Sequence, residues 1–210
     1  MMEQKSPEWF AARLGKATAS RIADVMAKTK TGYGASRENY LMELALERIT
    51  NAQAPSFMNA AMQWGHDTEP QARAMYEFMR DVAVQQVGLV LHPSINKSHA
   101  SPDGLVGEDG LIEIKCPNTA THIETLLSED VEGKYVKQMQ WQMACCGRAW
   151  CDFVSFDPRL PAEMQMFVQR VRRDDEFIAE LEREARLFLA EIDKTIATLS
   201  DKYLSREAAE

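Results

Sequence analysis

The residues best equipped for chemistry lie in the middle of the chain. Ser101-Pro102-Asp103-Gly104 is followed by Glu113-Ile114-Lys115, with nine residues between Asp103 and Glu113. Ile112 and Ile114 alternate with Glu113 and Lys115, so the two polar side chains share one face of a short strand, while Asp103 lies in a turn or strand start. Two carboxylates brought together beside a backbone carbonyl make an all-oxygen site for a hard divalent cation such as Mg2+. Lys115 adds a positive group that would orient or deprotonate a water, or stabilise charge on a phosphate. That is the equipment for metal-assisted phosphodiester hydrolysis. The same residues have a plainer reading, because Pro-Asp-Gly is a favoured turn and Glu-x-Lys suits the wet face of an edge strand.

Helices and strands must place these groups. Residues 37–50 carry an apolar stripe at helical spacing, Leu41, Leu44, Ala45 and Ile49. Residues 60–80 read as a second helix, with Gly65 and Pro70 as interruptions in its first turns. Residues 82–92 turn β-like, with Val87, Leu89 and Leu91 alternating. Residues 131–146 read as a helix, 150–156 as an apolar strand and 164–171 as an alternating strand. A long amphipathic helix over 174–203 opens on Asp174, Asp175 and Glu176, which suit a positive helix N-terminus. No linker divides the chain, so residues 1–210 are expected to form one domain. The fold class is α/β in the α+β sense, a central mixed sheet flanked by helices.

Composition excludes several classes. The chain has 210 residues, 24 basic and 32 acidic, for a net charge of −8, so it does not coat nucleic acid by bulk positive charge. Residues 1–37 are nevertheless net positive and residues 174–210 net negative. One account is chance and a solvated helix face; the other has the N-terminal segment facing a polyanion while the C-terminal helix faces away. There is no apolar run of membrane-spanning length and no signal-like start, and Cys116, Cys145, Cys146 and Cys151 have no CxxC spacing. Reduced, buried thiols in a cytoplasmic protein are expected. The four histidines lack metal-ligand spacing, and no glycine-rich nucleotide loop is present.

The order Pro102-Asp103 … Glu113-Ile114-Lys115 resembles the PD-(D/E)XK nuclease superfamily. Further segments narrow the resemblance to the phage lambda exonuclease family, the YqaJ-like viral recombinases. They are Trp9-Phe10-Ala11-Ala12-Arg13-Leu14-Gly15, Thr18-Ala19-Ser20, Trp64-Gly65 followed by Glu69, Ser101-Pro102-Asp103-Gly104-Leu105, Glu113-Ile114-Lys115-Cys116-Pro117 and Gln138-Met139-Gln140-Trp141-Gln142. The resemblance implies a restriction-endonuclease-like core. It implies an enzyme that degrades one strand of linear double-stranded DNA from its 5′ end to mononucleotides, leaving a 3′ single-stranded tail. Mg2+ is the implied cofactor, with Mn2+ as a substitute. A ring-shaped homotrimer working with a single-strand annealing protein is also implied, with no membrane partner.

Carried over by residue, the resemblance makes Asp103, Glu113 and the Ile114 carbonyl metal ligands, Lys115 the catalytic lysine and Glu69 an additional acid near the metal. Arg13 and Ser20, with Ser101 and Gln138, match a 5′-phosphate pocket, and arginine suits a terminal phosphate because its planar fork donates two bonds at once. Gln142, one turn after Gln138, has a weaker claim. Thr18 or Ser20 would cap a helix through Ile22, Val25 and Met26, whose N-terminal amides would also attract phosphate. Met62, just before Trp64-Gly65, would wedge into the terminal base pair, or else fill the core. Lys30, with Lys28, would touch downstream duplex, or else lie in a solvated loop. The expected reaction is in-line attack of water on the phosphodiester, with Lys115 assisting the water. Two rival readings stay open: a structure-specific endonuclease on the same core, and a non-catalytic DNA-end-binding recombination scaffold.

Overall fold

The computed structural model describes residues 4, 6–55 and 59–204. Its elements in chain order are α1 Pro7–Arg13, β1 Ala17–Thr18, α2 Ile22–Val25, β2 Lys28–Thr29, β3 Gly32–Tyr33, α3 Ala35–Thr50, α4 Ala60–Arg80, β4 Val84–Gln85 and β5 Val90–Leu91. There follow β6 Ser98–Ala100, β7 Gly104–Val106, β8 Gly110–Lys115, α5 Thr119–Ser128, α6 Gly133–Cys146, β9 Trp150–Phe156, β10 Met166–Arg172 and α7 Asp175–Tyr203. Five strands form the main sheet in the order β10-β9-β8-β7-β4. All its neighbours are antiparallel except β8 and β9, whose parallel pairing requires the crossover supplied by α5 and α6. A second sheet, β1-β6-β5, and the β2-β3 hairpin complete the strands.

β8 is a central strand, which overturns the reading of Glu-x-Lys as a wet edge. Alternation sends Ile112 and Ile114 into a cluster with Ala72 and Tyr76 of α4 and Val154 and Phe156 of β9. Leu111 points the other way, into a cluster with Met139 and Met143 of α6. Glu113 and Lys115 share that α6 face. The α6 helix also buries Trp141 and Cys145 in a third cluster, with α3 and with Leu181, Ala185, Phe188 and Ile192 of α7. It therefore carries packing from the main sheet to the C-terminal helix.

Several expectations are corrected. Residues 82–92 are not one strand: β4 joins the main sheet and β5 the small one, and between them the Val87 carbonyl accepts from Gln4 Nε2 at 2.7 Å. α4 runs unbroken through Gly65 and Pro70, since its Asn59 cap and the burial of Ala72 and Tyr76 outweigh one lost backbone bond. Neither Thr18 nor Ser20 caps a helix. Residues Ala19–Arg21 form a 3-10 turn without a side-chain cap, and the α2 that follows is a single turn. The separation of charge is also corrected. Lys28 pairs with Glu184 at 3.0 Å, Arg37 with Glu191 at 2.6 Å and Arg48 with Asp193 at 2.9 Å, so basic side chains dock the acidic α7 instead of facing away from it.

Cys116, Cys145 and Cys151 are buried and Cys146 is half-buried, all as free thiols. Among the described residues no helix is long and apolar enough to cross a membrane.

Candidate active site

Asp103 closes the turn into β7, directly beside β8. Its Oδ2 accepts the backbone N–H of Ile114 at 2.7 Å. The N–H and C=O of one strand residue point to the same edge, so the Ile114 carbonyl also leaves β8 on the Asp103 side. Gly104 is required here because a Cβ would collide with Val84 of β4.

Glu113 is only 1% exposed, a costly place for a carboxylate without partners. It has three. Gln138 Nε2 donates to Oε1 at 2.7 Å, Gln142 Nε2 donates to Oε2 at 2.6 Å, and Lys115 Nζ lies 2.5 Å from Oε1. The i, i+4 spacing of the two glutamines on α6 brings both amides to one carboxylate. Lys115 also lies 5.1 Å from the Tyr135 ring centroid, and Tyr135 in turn stacks on Phe153.

The charges here are out of balance. Burial, then the charges of Glu113 and Glu69, hold the Asp103 carboxyl well above the ordinary aspartate range. Burial opposes the Lys115 ammonium, yet Glu113 and Asp103 outweigh it and raise the lysine above its ordinary value. The carboxylates of Asp103 and Glu113 therefore share one ammonium, an arrangement that a bound cation would relieve. The donors are all oxygen, which fits Mg2+, and the second oxygen of Asp103 accepts no hydrogen bond among the described residues. Among those residues no three of His, Cys, Asp and Glu converge on one metal position. The residues that would hold a cation are Asp103, the Ile114 carbonyl and Glu113, whose two oxygens already accept from Gln138, Gln142 and Lys115.

These groups open into a cavity of about 860 Å³ lined by Met62, Glu69, Asp103, Ile114 and Lys115, with Trp9, Phe10 and Tyr135 on its walls. Glu69 is ion-paired with Arg73 one turn along α4. Met62 is 55% exposed, so it does not fill the core. Arg13, Ser101 and Gln138 do not line the cavity; Arg13 and Ser101 touch its wall residue Trp9. The indole Nε1 donates to Ser101 Oγ at 3.2 Å, and the Arg13 guanidinium lies 4.0 Å from the ring centroid. Ser20 in its 3-10 turn and Lys30 in the β2-β3 turn are exposed and do not line the cavity.

Gln142 holds Glu113 as directly as Gln138 does. The i, i+4 pattern carried that signal, but only the fold shows what the two amides meet. Tyr135, an aromatic wall of the site, carries no sequence signal beyond its residue type, while Phe10 entered only as part of the segment Trp9–Gly15, without a role of its own. Cys116 also lines the cavity, but burial, with Glu69 and Asp103 adding, pushes its thiol up to about 12, far from a nucleophilic thiolate at neutral pH.

Residues 8–149 match the model of the YqaJ-like viral recombinase domain. The chain is similar to the crystal structure of an alkaline exonuclease from Laribacter hongkongensis, at 56% identity over 97% of this chain and 98% of that one, with a TM-score of 0.87. It is similar to the same exonuclease in complex with dAMP, at 56% identity over 95% of this chain and 99% of the other, with a TM-score of 0.90. A phage-related exonuclease from Haemophilus somnus shares the fold at 17% identity, with a TM-score of 0.73 over 88% and 96% of the two chains. No curated protein matches the chain.

Proposed function

The chain belongs to the YqaJ-like viral recombinase domain family and is a deoxyribonuclease of recombination; from that premise we propose that it digests one strand of linear duplex DNA from the 5′ end with Mg2+. The observation that carries this reading is the convergence of Asp103, the Ile114 carbonyl and Lys115 on one cavity, over a Glu113 held by three donors. Asp103, Glu113 and the Ile114 carbonyl would hold Mg2+, for which Mn2+ would substitute. When bound, the ion would supply charge neutralisation at the phosphodiester and a more acidic water. Lys115 assists the attacking water and stabilises charge on the phosphate. Glu69 supplies further negative charge beside the cation.

Arg13, close to Ser101 through Trp9, receives the 5′-phosphate, with Ser20 as a further donor. Gln138, whose amide is spent on Glu113, acts on the cation side of the site instead of on the phosphate. Met62 parts the terminal base pair, and Lys30 meets duplex beyond the site. Mononucleotide release is supported by the dAMP complex of the similar exonuclease, since dAMP is a nucleoside monophosphate. The 3′ tail left behind is the substrate of a single-strand annealing protein. A homotrimeric ring around DNA, acting in the cytoplasm, would let an acidic chain stay on its substrate by topology.

The test is nucleotide release from linear duplex with Mg2+, comparing 5′-phosphate ends, 5′-hydroxyl ends and a closed circle. Mononucleotides from the 5′-phosphate end and none from the circle are expected. Lys115→Ala should lower turnover by about 10²-fold or more while DNA binding persists. Cutting of the circle would make the chain an endonuclease, and no metal-dependent release at all would leave a DNA-end-binding scaffold.

A further inference from the structure

Phe10 is a large apolar side chain that folding leaves outside the core. It is 40% exposed on α1 and lines the same cavity as Asp103 and Lys115. A lone exposed phenylalanine is ordinary on a protein surface. This one is held in place. Trp9 meets it edge to face, with centroids 5.1 Å apart and ring planes at 80°. Trp9 is itself buried, and its indole N–H is bonded to Ser101, two residues before Asp103. The exposed ring is thus braced against the loop that carries a site carboxylate.

A ligand that suits this cavity has an anionic end for Lys115 and the carboxylate-held cation, and a flat apolar end for the ring. A nucleotide has both. We propose that Phe10 is the platform on which the base of the nucleotide being released stacks. The inference rests on the nuclease reading above and adds to it the means by which the base is held. Stacking is tolerant of base identity because every base presents a π-face, which suits an enzyme that must digest any sequence. The base on Phe10 and the phosphate at Lys115 would fix a nucleotide at two points, and α1 would set both the base platform and, one turn on, Arg13.

The experiment follows binding of dAMP, 2-deoxyribose 5-phosphate and the fluorescent 2-aminopurine deoxynucleoside 5′-monophosphate to the full chain with Mg2+. Phe10→Ala is expected to weaken dAMP by about 10-fold or more, leave deoxyribose phosphate unchanged and abolish the stacking quench of 2-aminopurine. Phe10→Trp should restore the quench, and Phe10→Leu, apolar but not aromatic, should not. On linear duplex, Phe10→Ala should raise KM with kcat nearly kept, because the ring binds substrate and transition state alike. Equal dAMP affinity and equal quench in wild type and Phe10→Ala, or no quench in wild type, would overturn the proposal. Nucleotide release by the wild-type enzyme is read separately, so a chain that digests DNA with the same KM after Phe10→Ala refutes the platform and spares the nuclease. The side chain is exposed, so an unchanged melting temperature is expected and confirms that the variant is folded.

Discussion

His99 sits in β6 with no exposed surface, and neither of its ring nitrogens has a partner among the described residues. A neutral imidazole left unpaired is a desolvation cost, and a charged one would be worse beside Arg13 and Lys16. Burial first, and those two cations after it, bring its pKa from 6.5 to about 3. Between those values the unfolded chain takes up a proton that the folded chain refuses. Stability is therefore full above about pH 6.5 and drains as pH falls toward 3. The loss from this one group should be roughly 2 kcal/mol by pH 5. His99→Leu removes the group, so the variant should match or exceed wild type at pH 7.5 and exceed it by about that amount more at pH 5. Urea unfolding at the two pH values measures the difference. A variant that loses as much as wild type between them would show that His99 is not the buried group that titrates on unfolding.

At the scale of elements, α6 does two jobs with one face. Gln138 and Gln142 are both buried, and each gives its amide to a different oxygen of Glu113. Gln142→Leu keeps the bulk and leaves Oε2 without a donor. It should cost about 1–3 kcal/mol of stability and weaken Mg2+ by about 10- to 100-fold, because partners behind a metal ligand set its orientation. Thermal stabilisation as a function of Mg2+ reads both effects in one titration, and an unchanged Mg2+ midpoint would mean that Glu113 is held well enough without the helix. The long elements were legible in the sequence because burial repeats along them. The alternation of Ile112 and Ile114 and the steps from Phe177 to Ile196 each follow from one face packed against a core, and the stripe over residues 37–50 holds at Leu41, Leu44 and Ala45 but not at Ile49, which is 51% exposed. α5 was not legible, since its threonines favour no helix and its start rests on the single cap from Asn118 to Thr121. β1 and β6 were not either, because strands of two or three residues have no period and owe their pairing to the rest of the fold. In the site, residue types and spacing pointed to Asp103, Glu113 and Lys115. The pairing of Glu113 with α6 and the bond from Trp9 to Ser101 that steadies the neighbouring Phe10 are tertiary, and no local pattern records them.

For the whole molecule the question is whether the long C-terminal helix is an appendage or part of the body that holds the site. Phe188 of α7 is fully buried, stacks on Tyr40 of α3 at 5.4 Å and lies 5.2 Å from the buried Arg37 guanidinium. Its cluster includes Trp141 and Cys145 of α6, while Met139 and Met143 of the same helix belong to the cluster under β8. A rigid helix shared by two clusters cannot leave one without disturbing the other, so residues 1–210 are proposed to behave as one domain. Phe188→Ala should cost about 3–5 kcal/mol, since the bulk removed is large and the surrounding side chains refill it only in part. That loss should appear equally in the slowest-exchanging amides of α7 and of β8, about 70 residues apart in sequence, because both would open only through global unfolding. Native-state hydrogen exchange on the pair of proteins measures this directly. If protection falls in α7 while β8 keeps its wild-type value, the helix is a separately folding unit. The site on the main sheet would then stand without it.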